Sequence, residues 1–172
     1  ILRLINIIFF TMHIKFNLSK NILSWYDYNK RVLPWRVSKN SPKKLYYRLV
    51  SEFMLQQTQV KTVIPYFYKF IEKFKTLELL SKSNEKKILK LWEGLGYYRR
   101  ARNLLASSKI IVQKYNSKLP HELKEIKKLP GIGDYTANAL LGIIYNKPTI
   151  AIDGNVKRVF SRLLNKKEFK ID

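Results

Sequence analysis

Twelve carboxylates are few enough among 172 residues to sort one by one. Most lie within a helical turn of a Lys or Arg, as solvated surface acids do. Glu52, in Leu49-Val50-Ser51-Glu52-Phe53-Met54-Leu55, and Asp153, in Thr149-Ile150-Ala151-Ile152-Asp153-Gly154-Asn155, sit instead in apolar stretches. A carboxylate flanked by core residues must find a partner or shift its pKa, and a raised pKa suits an acid that protonates a leaving group. Two carboxylates in unlike surroundings fit cleavage of an N-glycosidic bond, in which one protonates the departing base and the other stabilises the cationic sugar. Read without function, Glu52 is an i, i+4 partner of Arg48 and Asp153 is a helix N-cap, and the second of these is compatible with a chemical role.

Three further constellations point to a polyanion. In Leu129-Pro130-Gly131-Ile132-Gly133-Asp134-Tyr135-Thr136 a Gly-x-Gly lies between two apolar-periodic segments, where backbone N–H groups at a helix start suit one phosphate. Glycine is expected there because a side chain would block close approach of a nucleic-acid backbone. The bland alternative is a helix-to-helix turn with a C-cap, which Gly-x-Gly alone would favour. Gln56-Gln57-Thr58-Gln59 follows the Glu52 segment directly, and Gly94-Leu95-Gly96-Tyr97-Tyr98-Arg99-Arg100-Ala101-Arg102 forms a second turn. Amides and aromatics on exposed turns can fill the gap left by a flipped base, with arginines beside them on the phosphates. On structural grounds alone, Tyr97 and Tyr98 are core aromatics and the glutamines polar surface.

Composition narrows the partners. Thirty-four Lys plus Arg give a formal charge of +22, enough to draw in nucleic acid through counterion release. The abundance of Lys, Ile and Asn also fits translation of an A+T-rich gene, so charge supports the reading without carrying it. The absence of cysteine excludes disulfides, thiolate zinc sites and iron–sulfur ligation within these residues. His13 and His121 have no ligand spacing between them, so no metal site is expected. The apolar run Ile1 to Phe10, interrupted by Arg3 and Asn6, is too short to span a bilayer, and no membrane role is expected. Because the chain opens on Ile, residues before Met12 are expected to be upstream read-through, and the sequence an open-ended fragment.

An apolar fraction of 46% is sufficient for a core, and the elements that must position these residues are helical almost throughout. The period predicts helices over 18–31, 45–56 and 60–74, the last bent at Pro65. Ser83 is expected to cap a helix over 85–92 that Gly94 ends, followed by one over 98–115. Two short helices flank the Gly131 turn, and a last helix begins near Gly154. The fold class is therefore all-α with short loops, forming one compact body.

In combination these motifs resemble the adenine DNA glycosylases of the endonuclease III-like helix-hairpin-helix superfamily, from Leu33 to about Leu164. Leu33-Pro34-Trp35-Arg36, Ser51 to Val60, Gly94 to Tyr98, the Pro130 hairpin and Asp153-Gly154-Asn155-Val156-Lys157-Arg158-Val159 carry the likeness. It implies a helical barrel domain over 45–146, with the hairpin at 123–145. A second helical domain, left incomplete, would take 17–44 and 147–172, with 1–16 an upstream or unstructured segment.

By that resemblance Glu52 protonates adenine N7, Asp153 stabilises the cationic sugar, and Asn155 and Tyr135 complete the candidate catalytic group. Trp35 and Arg36 help line the adenine pocket, Gln57 and Tyr97 intrude into the duplex, and Gly131 and Gly133 bind phosphate through their amides. Gln56, Thr58, Gln59, Tyr98, Arg99 and Thr136 join them as DNA-binding candidates. Tyr135 stands where glycosylase-lyases of the superfamily carry a nucleophilic Lys, and a phenol cannot form a Schiff base. The implied activity is monofunctional removal of adenine opposite guanine or 8-oxoguanine in double-stranded DNA, by a cytoplasmic, nucleoid-associated monomer. An endonuclease III-like glycosylase-lyase and a non-catalytic DNA-binding fragment are the alternatives. The stretch from Val37 to Tyr47 is longer than the family's usual spacing. The family's [4Fe-4S] cluster has no cysteine ligands in this chain; its motif, like the domain that reads oxidised guanine, would lie beyond Asp172. Such a fragment is expected to expose apolar surface that later segments would cover.

Overall fold

The computed structural model describes residues 18–167, and among them every regular element is a helix. The chain divides into two units, Ile1–Leu33 and Pro34–Asp172. The first contains α1 over 18–29, two residues shorter than its periodicity predicts. The segment 1–16, with the Ile1 to Phe10 run and His13, lies outside the described residues.

The second unit holds α2 (Lys44–Leu55), α3 (Val60–Lys73), α4 (Leu77–Ser81), α5 (Glu85–Trp92), α6 (Arg99–Tyr115), α7 (Leu123–Ile126), α8 (Asp134–Tyr145) and α9 (Gly154–Leu163). Helix α6 is the hub: it packs on α4, α5 and α2, and α2 in turn packs on α3 and α8. The stripe Leu49, Val50, Phe53 and Met54 makes one face of α2 fully buried. It meets Val63, Phe67 and Phe70 of α3 and Ala101, Leu104 and Ile111 of α6, all equally buried. Each such large side chain contributes roughly 1.5–3 kcal/mol by leaving water, which fixes α2 far more firmly than its intrinsic propensity could. Aromatic edges add direction, with Trp35 and Tyr47 both meeting the Phe67 ring, at 5.2 and 5.3 Å between centroids.

Two local expectations are corrected, at the cap of α5 and at the second helix of the hairpin. The cap of α5 is Asn84, whose Oδ1 accepts from Lys87 N–H at 2.9 Å, and not Ser83; an Asx side chain in extended backbone takes the position one residue later. Helix α3 continues through Pro65 to Lys73, as expected to within a residue, and the carbonyl left without a donor belongs to Lys61, with both residues facing solvent. Of the two helices around the hairpin, α7 is a single turn but α8 has 12 residues. The five-residue α4 was not anticipated, since so short a segment shows no period; Thr76 caps it by accepting from Leu79 N–H at 3.2 Å.

Candidate active site

Glu52 lies one turn before the end of α2, with buried Ser51 and Phe53 as chain neighbours, and is itself half-buried. Burial raises its pKa above the ordinary carboxylate value, and the Arg48 guanidinium one turn earlier opposes this only in part. Relative to a solvated carboxylate the neutral form is favoured, with Arg48 as the opposing charge.

Asp153 is the N-cap of α9. Its Oδ1 accepts from Val156 N–H at 2.8 Å and its Oδ2 from Asn155 Nδ2 at 3.3 Å. The backbone N–H, followed by the amide of Asn155, holds the carboxyl below its ordinary value, so this group stays anionic. Asn155 is oriented in turn, its Oδ1 accepting from Arg158 Nη2 at 3.3 Å.

Tyr135, second residue of α8, joins the two. Its phenol is pushed upward by burial first, then by the charge of Glu52 and then by that of Asp153. The charges of both carboxylates, on α2 and at the start of α9, thus act on one hydroxyl of α8, although they are 83 and 18 positions away in the chain. One carboxyl biased toward its acid form and one toward its anion is the pairing that general-acid cleavage of a glycosidic bond requires.

The hairpin between α7 and α8 is built around Gly131 at φ 77°. A Cβ there would come within 2.7 Å of Asn103 Nδ2 and 2.8 Å of Phe53 Cε1. Gly131 is therefore required by its backbone and its own neighbours, a reason that stands beside the expected approach of a ligand. Gly133 fits that expectation better: it has ordinary φ, and a Cβ would meet nothing within 4 Å. Ser107 Oγ donates to Pro130 O at 2.8 Å and Gln56 Nε2 to Gly131 O at 3.1 Å, tying the loop to α6 and to the end of α2. The first helical bond of α8 runs from Ala137 N–H to Gly133 O, so the amides of Asp134, Tyr135 and Thr136 precede it and face the loop mouth. Thr136 is buried at 5% exposure, so its backbone and not its hydroxyl is what a phosphate could meet. The Asp134 carboxylate at the mouth is neutralised by Lys127 at 2.5 Å.

The remaining predicted residues fall into two groups. Gln57, Gln59, Tyr97, Tyr98 and Arg99 are exposed, with Tyr97 at 62%, so the tyrosines are not core aromatics. Gln56 and Thr58 are half-buried and occupied with internal bonds, Gln56 to the hairpin as above. Trp35 is 1% exposed and packed on Phe67, while Arg36 beside it is half-buried. Arg100, expected among the phosphate-holding arginines of its turn, is buried at 6%, and Arg102 is paired with Glu85 at 2.6 Å. A signal for Arg100 existed: it falls on the stripe Arg100, Leu104, Ser108, Ile111 that forms the inner face of α6. No group of three or more His, Cys, Asp and Glu that could hold a metal occurs among the described residues.

An all-helical fold with a glycine hairpin between α7 and α8 fits the helix-hairpin-helix class. The pattern described as HhH-GPD superfamily base excision DNA repair protein matches residues 50–171, and the chain belongs to that superfamily. An adenine DNA glycosylase of Buchnera aphidicola subsp. Baizongia pistaciae is 49% identical over 144 residues, 83% of this chain and 40% of that protein. The human adenine DNA glycosylase is 40% identical over 83% of this chain and 27% of its own length. The chain thus spans less than half of the curated relatives it matches. Among solved structures, a thermostable thymine-DNA glycosylase superposes with a TM-score of 0.76 at 27% identity, covering 90% of this chain and 68% of that one. An endonuclease III–DNA complex shares the fold, with a TM-score of 0.69 at 24% identity over 88% of this chain and 68% of that one.

Proposed function

We propose that this chain is the catalytic part of a monofunctional DNA glycosylase that hydrolyses the bond between deoxyribose and an adenine mispaired with guanine or 8-oxoguanine. The observation that carries the reading is an acid-biased Glu52 and an anion-biased Asp153 whose charges both act on the Tyr135 hydroxyl. In the reaction Glu52 donates its proton to adenine N7, the glycosidic bond breaks, and the carboxylate of Asp153 stabilises the oxocarbenium-like sugar until water adds. Asn155 holds that carboxylate in place, and Tyr135 offers a hydroxyl where a lyase would need an amine. The Gly131 hairpin grips a phosphate of double-stranded DNA, and the exposed Gln57 and Tyr97 enter the duplex. The adenine DNA glycosylase relatives at 40–49% identity support the choice of base.

Trp35 and Arg36 line the adenine pocket in this reading, which requires the buried indole to be uncovered as the base enters. An iron–sulfur cluster finds no fit here, because the chain contains no cysteine, and no step runs through one. No helix among the described residues is long and apolar enough to cross a membrane.

The test is incubation of the protein with labelled duplex carrying adenine opposite 8-oxoguanine, with products separated before and after alkali. Strand breaks that appear only after alkali are expected. Breaks without alkali would replace the proposal with a lyase, and intact adenine in a folded, DNA-bound protein would leave only a binding fragment.

A further inference from the structure

Arg100 is buried, and its guanidinium is met by backbone carbonyls and one hydroxyl. Its Nη1 donates to the carbonyls of Phe53, Met54 and Gln56, at 3.4 and 2.7 Å for the first two, and to Thr58 Oγ1 at 3.0 Å. Its Nη2 donates to the carbonyls of Leu95 and Gly96 at 3.2 and 3.1 Å. Three of these carbonyls close the C-terminus of α2, the negative end of the helix that carries Glu52. The other two belong to the turn before α6. The guanidinium also lies 5.3 Å from the centre of the Tyr97 ring and 5.6 Å from that of Trp92.

The two turns joined in this way each contain a residue in a costly conformation. Gln57 has φ 57° and Tyr97 φ 47°, the left-handed region that side chains other than glycine's disfavour. Such backbone persists where its surroundings over-determine it, and Arg100 contacts both turns at once. Both residues are exposed, and both are the side chains assigned above to enter the duplex. Nε of Arg100 is buried without an acceptor, so the head group is placed by its two Nη atoms and not by its stem. A lysine could hold one turn but has no planar fork to span two.

We propose that Arg100 is the positioning residue that fixes Gln57 and Tyr97 relative to each other, so that their joint entry into the duplex, and with it extrusion of the target base, depends on the guanidinium fork. The proposal rests on the glycosylase reading for the identity of the base, but extrusion can be followed without cleavage. In the complete protein carrying Glu52→Gln, a duplex with 2-aminopurine beside the target adenine reports unstacking as a rise in fluorescence. Adding Arg100→Lys is expected to leave duplex affinity within about threefold, since the buried group meets no phosphate, while removing most of the rise. With Glu52 intact, Arg100→Lys is expected to slow single-turnover adenine release roughly tenfold or more, on the scale of one lost charge-assisted hydrogen bond. That loss is expected to shrink when the adenine faces an abasic-site analogue, where no partner base resists extrusion.

An equal loss on both duplexes, or an undiminished fluorescence rise, would overturn the proposal. If Arg100→Lys does not fold, Thr58→Val, which removes one acceptor of the fork, is expected to give the same pattern at smaller size, and equal losses there overturn it too. A parent protein that shows the Arg100-dependent rise but releases no adenine would sink the glycosylase reading and leave the positioning role standing. Absence of any rise in the parent would sink the positioning role.

Discussion

Glu52 and Asp153 are the same chemical group made to behave in opposite ways by two differently built regions. Glu52 sits on α2, whose inner face is fully buried, and its tendency to hold a proton comes from that packing. Asp153 opens α9, a helix with no buried residue at all, and its tendency to lose a proton comes from one backbone N–H and one side-chain amide. The acid is a product of tertiary structure and the anion a product of a local cap. Damage to the core should therefore reach Glu52 first, whereas Asp153 should depend on little beyond its own helical turn.

The largest effect expected is on the acid itself. Glu52→Gln keeps the shape and removes the proton, so single-turnover base release should fall by roughly 10²–10⁴-fold, the range of general-acid catalysis, with DNA affinity nearly unchanged. Undiminished release would remove Glu52 from the mechanism. Asp153→Asn should cost less, roughly 10²–10³-fold, the scale of losing one electrostatic stabiliser. If instead Asp153→Asn were the more damaging change at neutral pH, the division of labour between the two regions would be reversed.

The hairpin sharpens the contrast, because it leans on the α2 side through Gln56 and Phe53. Gly131→Ala adds a Cβ in left-handed backbone against Asn103 and Phe53, and should destabilise the fold by roughly 2–4 kcal/mol, combining left-handed strain and overpacking. Gly133→Ala, two residues on, meets open space and should stay within about 0.5 kcal/mol of the parent in denaturant melts. Its effect should appear instead as weaker duplex binding, since it crowds the amides offered to a phosphate. Equal destabilisation by the two alanines would mean that the loop is not held as described.

These same residues show what could be read before the fold was known. The cap of α9 was legible at Asp153-Gly154-Asn155 because capping is settled within four residues, and the hairpin was legible because two glycines and a proline leave few alternatives. The helices α2, α3, α5 and α6 fell within a residue of their periodic limits, and α9 begins at Gly154 as expected. Arg100 was misplaced because its neighbours Arg99 and Arg102 are exposed. The stripe Arg100, Leu104, Ser108, Ile111 was the signal that separates it from them, and the stacking of α6 on α2, 47 residues away in sequence, gives the guanidinium its acceptors. The internal reason for Gly131 was not legible, because its neighbours Asn103 and Phe53 come from two other helices. Val159 and Leu163 of α9 and its C-cap Leu164 are each more than 40% exposed.

The smallest effects lie in stability and distinguish the two carboxylates by sign. At the cap, Asp153→Ala should cost about 1 kcal/mol and Asp153→Asn close to nothing, because asparagine serves as well at an N-cap. Titration then separates them. The pKa of Glu52 is raised by folding, so the native state binds more protons than the unfolded chain between the ordinary and the raised value, and stability declines as pH rises through that window. Glu52→Gln should therefore melt higher than the parent at neutral pH and match it in acid below the ordinary carboxylate value, where Glu52 is protonated in both states. The pKa of Asp153 is lowered, so its contribution is present above the ordinary value and lost as pH falls through the lowered one; half exposure and solvent screening keep this limb small. Asp153→Asn should accordingly melt slightly below the parent at neutral pH and converge with it in acid. Thermal melts of the two variants across pH 3–8 measure both differences. Differences of the same sign would show that one environment, and not two, governs the pair.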